Sequence, residues 1–163
     1  MSSPGTEKPT NGNGLLKQRH AKQQLGKRRL GERLVAAAGD GDSAGIKKLV
    51  KLGADINYKN SRGETPLSFA AAWNQVDAAR SLLLLSANPN TADEMGGTPL
   101  MLAAQHGSIE LVKLLLKHGA NVKAKDKAGN TALAHAHWRE GDDGEAVGEV
   151  IRKAAGAKRR IVA

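Results

Sequence analysis

The stretch GGTPLMLAAQHGSIELVKLLLKHGANV, residues 96–122, holds two apolar segments separated by Gly107-Ser108, and its opening recurs twice elsewhere in the chain. GETPLSFAA occupies 63–71, 33 residues upstream, and GNTALAHA occupies 129–136, 33 residues downstream. Three positions keep that spacing without a gap: Gly63, Gly96 and Gly129; Thr65, Thr98 and Thr131; Leu67, Leu100 and Leu133. Alanine pairs beginning at Ala37, Ala70 and Ala103, and the stretches ADIN, ANPN and ANVK beginning at Ala54, Ala87 and Ala120, follow the same interval. A period of roughly 20 to 50 residues marks a chain built by stacking one supersecondary unit on copies of itself. A unit that recurs in this way is scaffolding rather than a catalytic centre.

Local chemistry says what the unit is. The Thr98 hydroxyl is placed to cap a helix, and Pro99 takes the first helical position, where its missing N–H costs nothing. The helix runs to about His106, and Gly107 supplies the left-handed residue that ends it; Asn74, the next best residue for that conformation, stands at the matching place one unit earlier. A second helix follows in SIELVKLLLKHG, with Ile109, Val112, Leu115 and Leu116 on one stripe and Glu110, Lys113 and Lys117 on the other side. Gly119 closes it, and an extended polar loop leads to the next threonine. No unit of helix, turn, helix and loop buries its apolar face alone, so neighbours share a core in a quasi-one-dimensional stack. The only aromatic rings besides histidine are Tyr58, Phe69, Trp73 and Trp138. A core of Leu, Ile, Val and Ala suits closely packed small helices, and the expected class is all-α.

The segment DEMGGTPLMLAAQHGSIELVKLLLKHGANV, residues 93–122, resembles an ankyrin repeat closely, and the resemblance extends over about residues 30 to 155. It implies an ankyrin-repeat solenoid of about four helix–turn–helix units with extended loop or hairpin fingers, at 27–59, 60–92, 93–125 and 126–157. A basic arm at 1–26, disordered over its Gly-, Asn-, Ser-, Thr- and Pro-rich first 14 residues, precedes the units, and a basic tail at 158–163 follows them. Departures fall in the terminal units: Glu32-Arg33-Leu34 replaces Thr-Pro-Leu in the first, and the last has Thr131-Ala132-Leu133 and about two extra residues in REGDDGE before Val147, Val150 and Ile151. The family's usual histidine after Thr-Pro-Leu is replaced by Ser68, Met101 and Ala134.

The same resemblance implies a concave recognition face made from the finger tips and the exposed side of each first helix. On this chain the face comprises Arg62 and Glu64, Glu94 and Met95, and Lys127 on the fingers, with Trp73, Gln105, His106, Trp138 and Arg139 on the helices. Both tryptophans fall on it. Tryptophan and arginine are enriched among the few residues that dominate interface energy, so Trp73, Met95 and Arg62 are expected to anchor a protein partner. The alternative is that Trp73 packs on a neighbouring loop and Trp138 seals the C-terminal end. The implied function is a non-enzymatic protein–protein interaction module, an adaptor, scaffold or inhibitor. It is expected to be monomeric and to use no cofactor. Leu84 and Leu85, matching Lys117 and His118 one unit later, are expected to face outward on the second helix, as a docking point or as scattered surface apolarity.

Other chemistry is poorly represented. There is no cysteine, hence neither disulfide nor thiolate zinc site. DGDSAG at 40–45 opens like a calcium loop, but Lys51 stands where the bidentate glutamate is needed. His135 and His137, two apart on a helix, point about 200° apart and do not share an ion readily. Asp142, Asp143 and Glu145 read as a solvated loop. No glycine-rich phosphate loop or nucleophile elbow is present, so an enzyme is not expected.

The net charge of +9 is unevenly placed. Residues 1–33 carry eight Lys or Arg against two acids, residues 34–152 thirteen against fourteen, and residues 153–163 four against none. Seven of the eight N-terminal cations lie between Leu15 and Arg33, where Gly26 and Gly31 each weaken a helix by about 1 kcal/mol. Three readings compete for this arm: a contact to nucleic acid or another anionic surface, an import signal centred on Lys27, Arg28 and Arg29, and solvated charge without a partner. The arm holds no aromatic residue for base stacking. An adaptor recruited to nucleic acid or ribonucleoprotein through its tails is thus the alternative function. No apolar run reaches the roughly 20 residues needed to span a bilayer, and the first 30 residues lack the apolar core of a secretory signal. A soluble protein of cytoplasm or nucleus is expected, with an organellar presequence as the alternative because the arm is poor in acids.

Overall fold

The structure, a computed structural model, describes residues 12–106, 108–138 and 142–157. Among them are helices α1 (Gly12–Gly39), α2 (Ser43–Lys51), α3 (Pro66–Ala72), α4 (Val76–Leu84), α5 (Pro99–Gln105), α6 (Ile109–Lys117), α7 (Ala132–His137) and α8 (Asp142–Ala157), and no strand. They form four antiparallel pairs in two rows. The inner helices α1, α3, α5 and α7 contact one another in that order, and α2, α4, α6 and α8 do the same behind them. The class is all-α, as the periodicity predicts. No described helix is long and apolar enough to cross a membrane.

The 33-residue register is the core. Leu34, Leu67 and Leu100 are buried at equivalent points of α1, α3 and α5, and Ala38, Ala71 and Ala104 are fully buried between these helices, where a side chain no larger than methyl lets the backbones approach. Behind them Leu49, Leu82 and Leu115 fill the same place in α2, α4 and α6, and Val147 and Ile151 complete the last unit from α8. Each fully buried leucine contributes about 1.5–3 kcal/mol relative to exposure. On α6 the buried stripe differs from the one the sequence pattern predicts: Val112 and Leu115 are buried with Leu111 and Leu114, while Ile109 and Leu116 are half-buried at its edges, because this helix packs against both α5 and α8. Leu84 is 72% exposed, whereas Leu85 is half-buried against the core.

Caps set the helix starts. Thr65 Oγ1 accepts from Ser68 N at 3.1 Å and Ser68 Oγ accepts from Thr65 N at 2.8 Å, a reciprocal capping box that gives Ser68 a role of its own where the family has histidine. Thr98 Oγ1 accepts from Met101 N at a longer 3.4 Å, while Thr131 makes no side-chain cap. Asn74 has φ of 52°, the left-handed turn expected there; Gly107, named for the same role, lies outside the described residues. After the second helix the left-handed position falls to Gly53 and Gly119 but also to Ser86, at φ of 68°, where a Cβ is strained.

Two expectations need correction. The N-terminal arm is not set apart at residue 26: α1 runs from Gly12 through Gly26 and Gly31 without a break. Leucine, lysine, arginine, glutamine and alanine between them favour helix strongly enough to carry the two glycines, and Arg28 and Glu32, one turn apart at 2.9 Å, add an ion pair. Residues 14–29 are exposed, so this part of α1 projects beyond the packed pairs. Residues 1–11 and 158–163 lie outside the described residues. Likewise Asp142, Asp143 and Glu145 are not in a loop but form the first turn of α8, where carboxylates suit the positive end of the helix dipole.

Candidate functional site

Between each second helix and the next inner helix the chain makes a finger, and one acceptor builds all three. Asn60 Oδ1 accepts from Arg62 N and Glu64 N at 2.9 and 3.0 Å. Asp93 Oδ1 takes Met95 N and Gly97 N, both at 2.8 Å, and Asp126 Oδ1 takes Ala128 N and Asn130 N at 3.0 and 2.8 Å. A backbone bond closes each finger, Asn60 N to Glu64 O, Asp93 N to Gly97 O and Asp126 N to Asn130 O. The fingers are also tied together: Glu94 N donates to Arg62 O at 3.1 Å and Lys127 N to Met95 O at 2.9 Å. Gly63 and Gly96, at φ of 73° and 81°, allow this approach, since a Cβ at either would stand 2.9 Å from backbone of the next finger.

The fingers and the inner helices enclose a groove of 640 Å³. Its floor is Phe69, Ala72 and Leu102, with Trp73 at one side, 66% exposed. Arg62, Glu64 and Asp93 rim it from the fingers and His106 from the end of α5. The Arg62 guanidinium donates Nε–H to Glu64 Oε2 at 2.9 Å, so the rim presents a paired cation rather than a free one. Of the residues expected on this face, Arg62, Glu64, Trp73 and His106 are thus brought together. Glu94, Met95, Gln105, Lys127 and Trp138 are exposed but do not line the groove, and Arg139 lies outside the described residues. Lys27 and Arg28 line a separate groove beside the first finger, to which Arg29 does not contribute.

A model of tandem ankyrin repeats, three copies, matches residues 33–126 and 83–147, which is most of the chain. The chain belongs to the ankyrin repeat family. It is 38% identical over 55 residues to a Rickettsia felis sequence named as an ankyrin repeat protein, spanning 87% of that relative and 34% of this chain. A second Rickettsia felis sequence named in the same way is 39% identical over 51 residues, 77% of its own length and 31% of this chain. Ankyrin repeats are in general protein-interaction modules, typically without catalytic activity.

The fourth ankyrin unit departs from the other three in its electrostatics. His135 occupies the register of Phe69 and Leu102, but its Nε2 lies 2.9 Å from Asp126 Oδ2 and its ring packs 4.7 Å from that of Trp138. The imidazole therefore braces the last finger, and Trp138 covers it, while His137 is exposed on the other side, 3.5 Å from Arg152 Nη1. The Asp126 carboxyl is held below the usual carboxylate range, chiefly by the N–H of Asn130, with His135, the Asn130 side chain and the N–H of Ala128 adding to it against the opposing effect of burial. Asp42 of the DGDSAG stretch caps α2 by accepting from Gly45 N at 2.8 Å. Among the described residues, no group of three His, Asp or Glu side chains is arranged to hold a metal ion.

Sequence reasoning passed over Phe69, Leu102 and Asp93 in the groove and the acceptor row in the fingers. Both signals are present: Phe69, Leu102 and His135 are spaced by 33, as are Asn60, Asp93 and Asp126. Neither row conserves residue type along the chain, which is why identity matching misses it.

Proposed function

We propose that this chain is a non-enzymatic recognition module, an adaptor, scaffold or inhibitor, that binds a protein partner in the groove between the second and third ankyrin units, with Trp73 as its main anchor. The observation that carries this reading is the exposed Trp73 indole standing beside an open floor of Phe69 and Leu102. A large aromatic left in water next to apolar surface gains most when a partner covers both, and such residues dominate interface energies. Arg62, Glu64, Asp93 and His106 supply a polar rim of both signs. Rim groups of this kind orient a partner and exclude mismatched ones more than they add affinity. The module acts as a monomer.

The test is affinity capture with the wild-type chain and with Trp73→Ala as baits, followed by dissociation constants for the purified partner. A hot-spot anchor predicts a loss of about 2 kcal/mol or more. A loss within about 0.5 kcal/mol, in a variant that melts like the wild type, places recognition away from the groove.

A further inference from the structure

The finger ladder has an open end. Glu94 N donates to Arg62 O and Lys127 N to Met95 O, and in that register the corresponding donor of the first finger is Ser61 N. Among the described residues nothing accepts from it. Ser61 faces a groove of 620 Å³ between the first finger and α1, also lined by Gln24, Lys27, Arg28, Tyr58 and Lys59. That volume is in the ordinary range for a binding cleft, about 300–1,000 Å³.

The side of α1 over this groove is cationic. Gly31 abuts the Tyr58 ring, and stepping back along the same face of the helix reaches Lys27 and Arg28, then Gln24, then His20 and Lys17. Two carboxylates lie nearby, Glu32, which accepts from Arg28 Nε at 2.9 Å, and Asp55 on the groove wall, whose Oδ1 accepts from Asn57 N at 2.9 Å; the three cations Lys27, Arg28 and Lys59 outnumber them and leave the groove net positive. Lys59 Nζ donates to Ala92 O at 3.0 Å and keeps two further N–H groups.

We propose that an acidic, extended segment of a partner protein occupies this gap in the place of a preceding finger. One of its carbonyls accepts the Ser61 N–H, and its carboxylates meet Lys27, Arg28 and Lys59. The register asks for a backbone acceptor at the spacing of one neighbouring strand, about 4.8 Å. A single extended polypeptide meets that demand together with the charge, whereas a nucleic acid duplex, without such a carbonyl row, meets only the charge. This site is separate from the Trp73 groove, and its failure would leave that reading intact.

The probe is a fluorescein-labelled decapeptide of alternating glutamate and threonine, titrated with the full chain at low ionic strength. Fluorescence anisotropy gives the affinity and amide NMR reports on Ser61. Binding is expected to saturate, to move the Ser61 amide proton downfield, and to vanish for the lysine–threonine peptide of equal length. K27E/R28E is expected to weaken it about tenfold, as two exposed charge contacts reversed together. Ser61→Pro removes the donor and keeps the turn, because Ser61 is the second residue of the turn closed by Gly63 N to Asn60 O, a position that favours proline. It is expected to melt like the wild type and to bind about fivefold more weakly, the loss of one hydrogen bond. The proposal is overturned by a peptide that does not bind, by affinity unchanged in K27E/R28E or in Ser61→Pro, or by a Ser61 amide that stays in place. It is equally overturned if decathymidylate displaces the peptide and binds Ser61→Pro as tightly as the wild type, since the surface is then a general cationic one.

Discussion

Alanine at Gly96 and at Gly129 separates two roles that a finger glycine combines. The two residues have nearly the same backbone, φ of 81° and 86°. Their surroundings differ: a Cβ at Gly96 would lie 2.9 Å from Asp126 Cα and 3.0 Å from Lys127 N, while at Gly129 it would meet nothing within 4 Å. The left-handed conformation costs an L-residue about 1–2 kcal/mol, and the stiffer unfolded chain returns about 0.4–1 kcal/mol, so Gly129→Ala is expected to destabilise by about 1 kcal/mol. Gly96→Ala bears that cost and must also push the next finger away. This strains packed backbone by about 1–3 kcal/mol and removes the Lys127 N to Met95 O bond, about 0.5–1.5 kcal/mol, for a total of about 2.5–5.5 kcal/mol. Urea unfolding followed by far-ultraviolet circular dichroism and by the fluorescence of Trp73 and Trp138 measures both variants against the wild type. Equal losses, within about 0.5 kcal/mol, would mean that the fingers separate freely and do not couple the units.

Leu115→Ala, at a fully buried side chain shared by adjacent units, is expected to cost about 2–5 kcal/mol in the same urea assay, and a loss below about 0.5 kcal/mol would contradict its place in the core. Ser86→Gly relieves a left-handed serine and is expected to raise stability by about 0.5–1 kcal/mol; a lower melting midpoint would show that the serine hydroxyl contributes more than the strain costs. Because the Asp126 carboxyl is lowered in the folded state, its contribution is fully present above the ordinary carboxylate pKa, about 4, and fades as pH falls further through the folded value. Asp126→Asn keeps the backbone acceptor, as Asn60 does in the first finger, and is expected to lose less stability than the wild type between about pH 5 and pH 2. Parallel curves would remove Asp126 from acid unfolding.

The architecture was legible because stacking forces every unit to solve the same packing problem at the same interval. Leu34, Leu67 and Leu100 fall on equivalent buried points for that reason, and the Thr-Pro starts set the helix boundaries. The ends were harder to read. α1 extends back to Gly12 because no proline interrupts residues 12–39, whereas residue composition alone suggested an arm. Ser86 takes a left-handed turn that its own propensity does not signal; the closing bonds Ser86 N to Leu83 O and Ala87 N to Leu82 O, matched at Gly53 and Gly119, require it. The prediction for the face located Arg62, Glu64, Trp73 and His106 on one groove but missed Phe69 and Leu102, since floor and rim depend on how far each inner helix is turned. His135 sits in the same row and is turned inward to Asp126, which no spacing argument foretells.

The recognition reading is tested most directly by photo-crosslinking of the complex with a benzophenone amino acid placed at His106 on the groove rim in one variant and at Leu84 in another, with Trp73 kept in both. Both positions are exposed, but they lie on different rows of helices. Crosslinks to the bound protein from position 106 and none from position 84 are the predicted result; crosslinks from 84 with none from 106 would contradict binding in the groove.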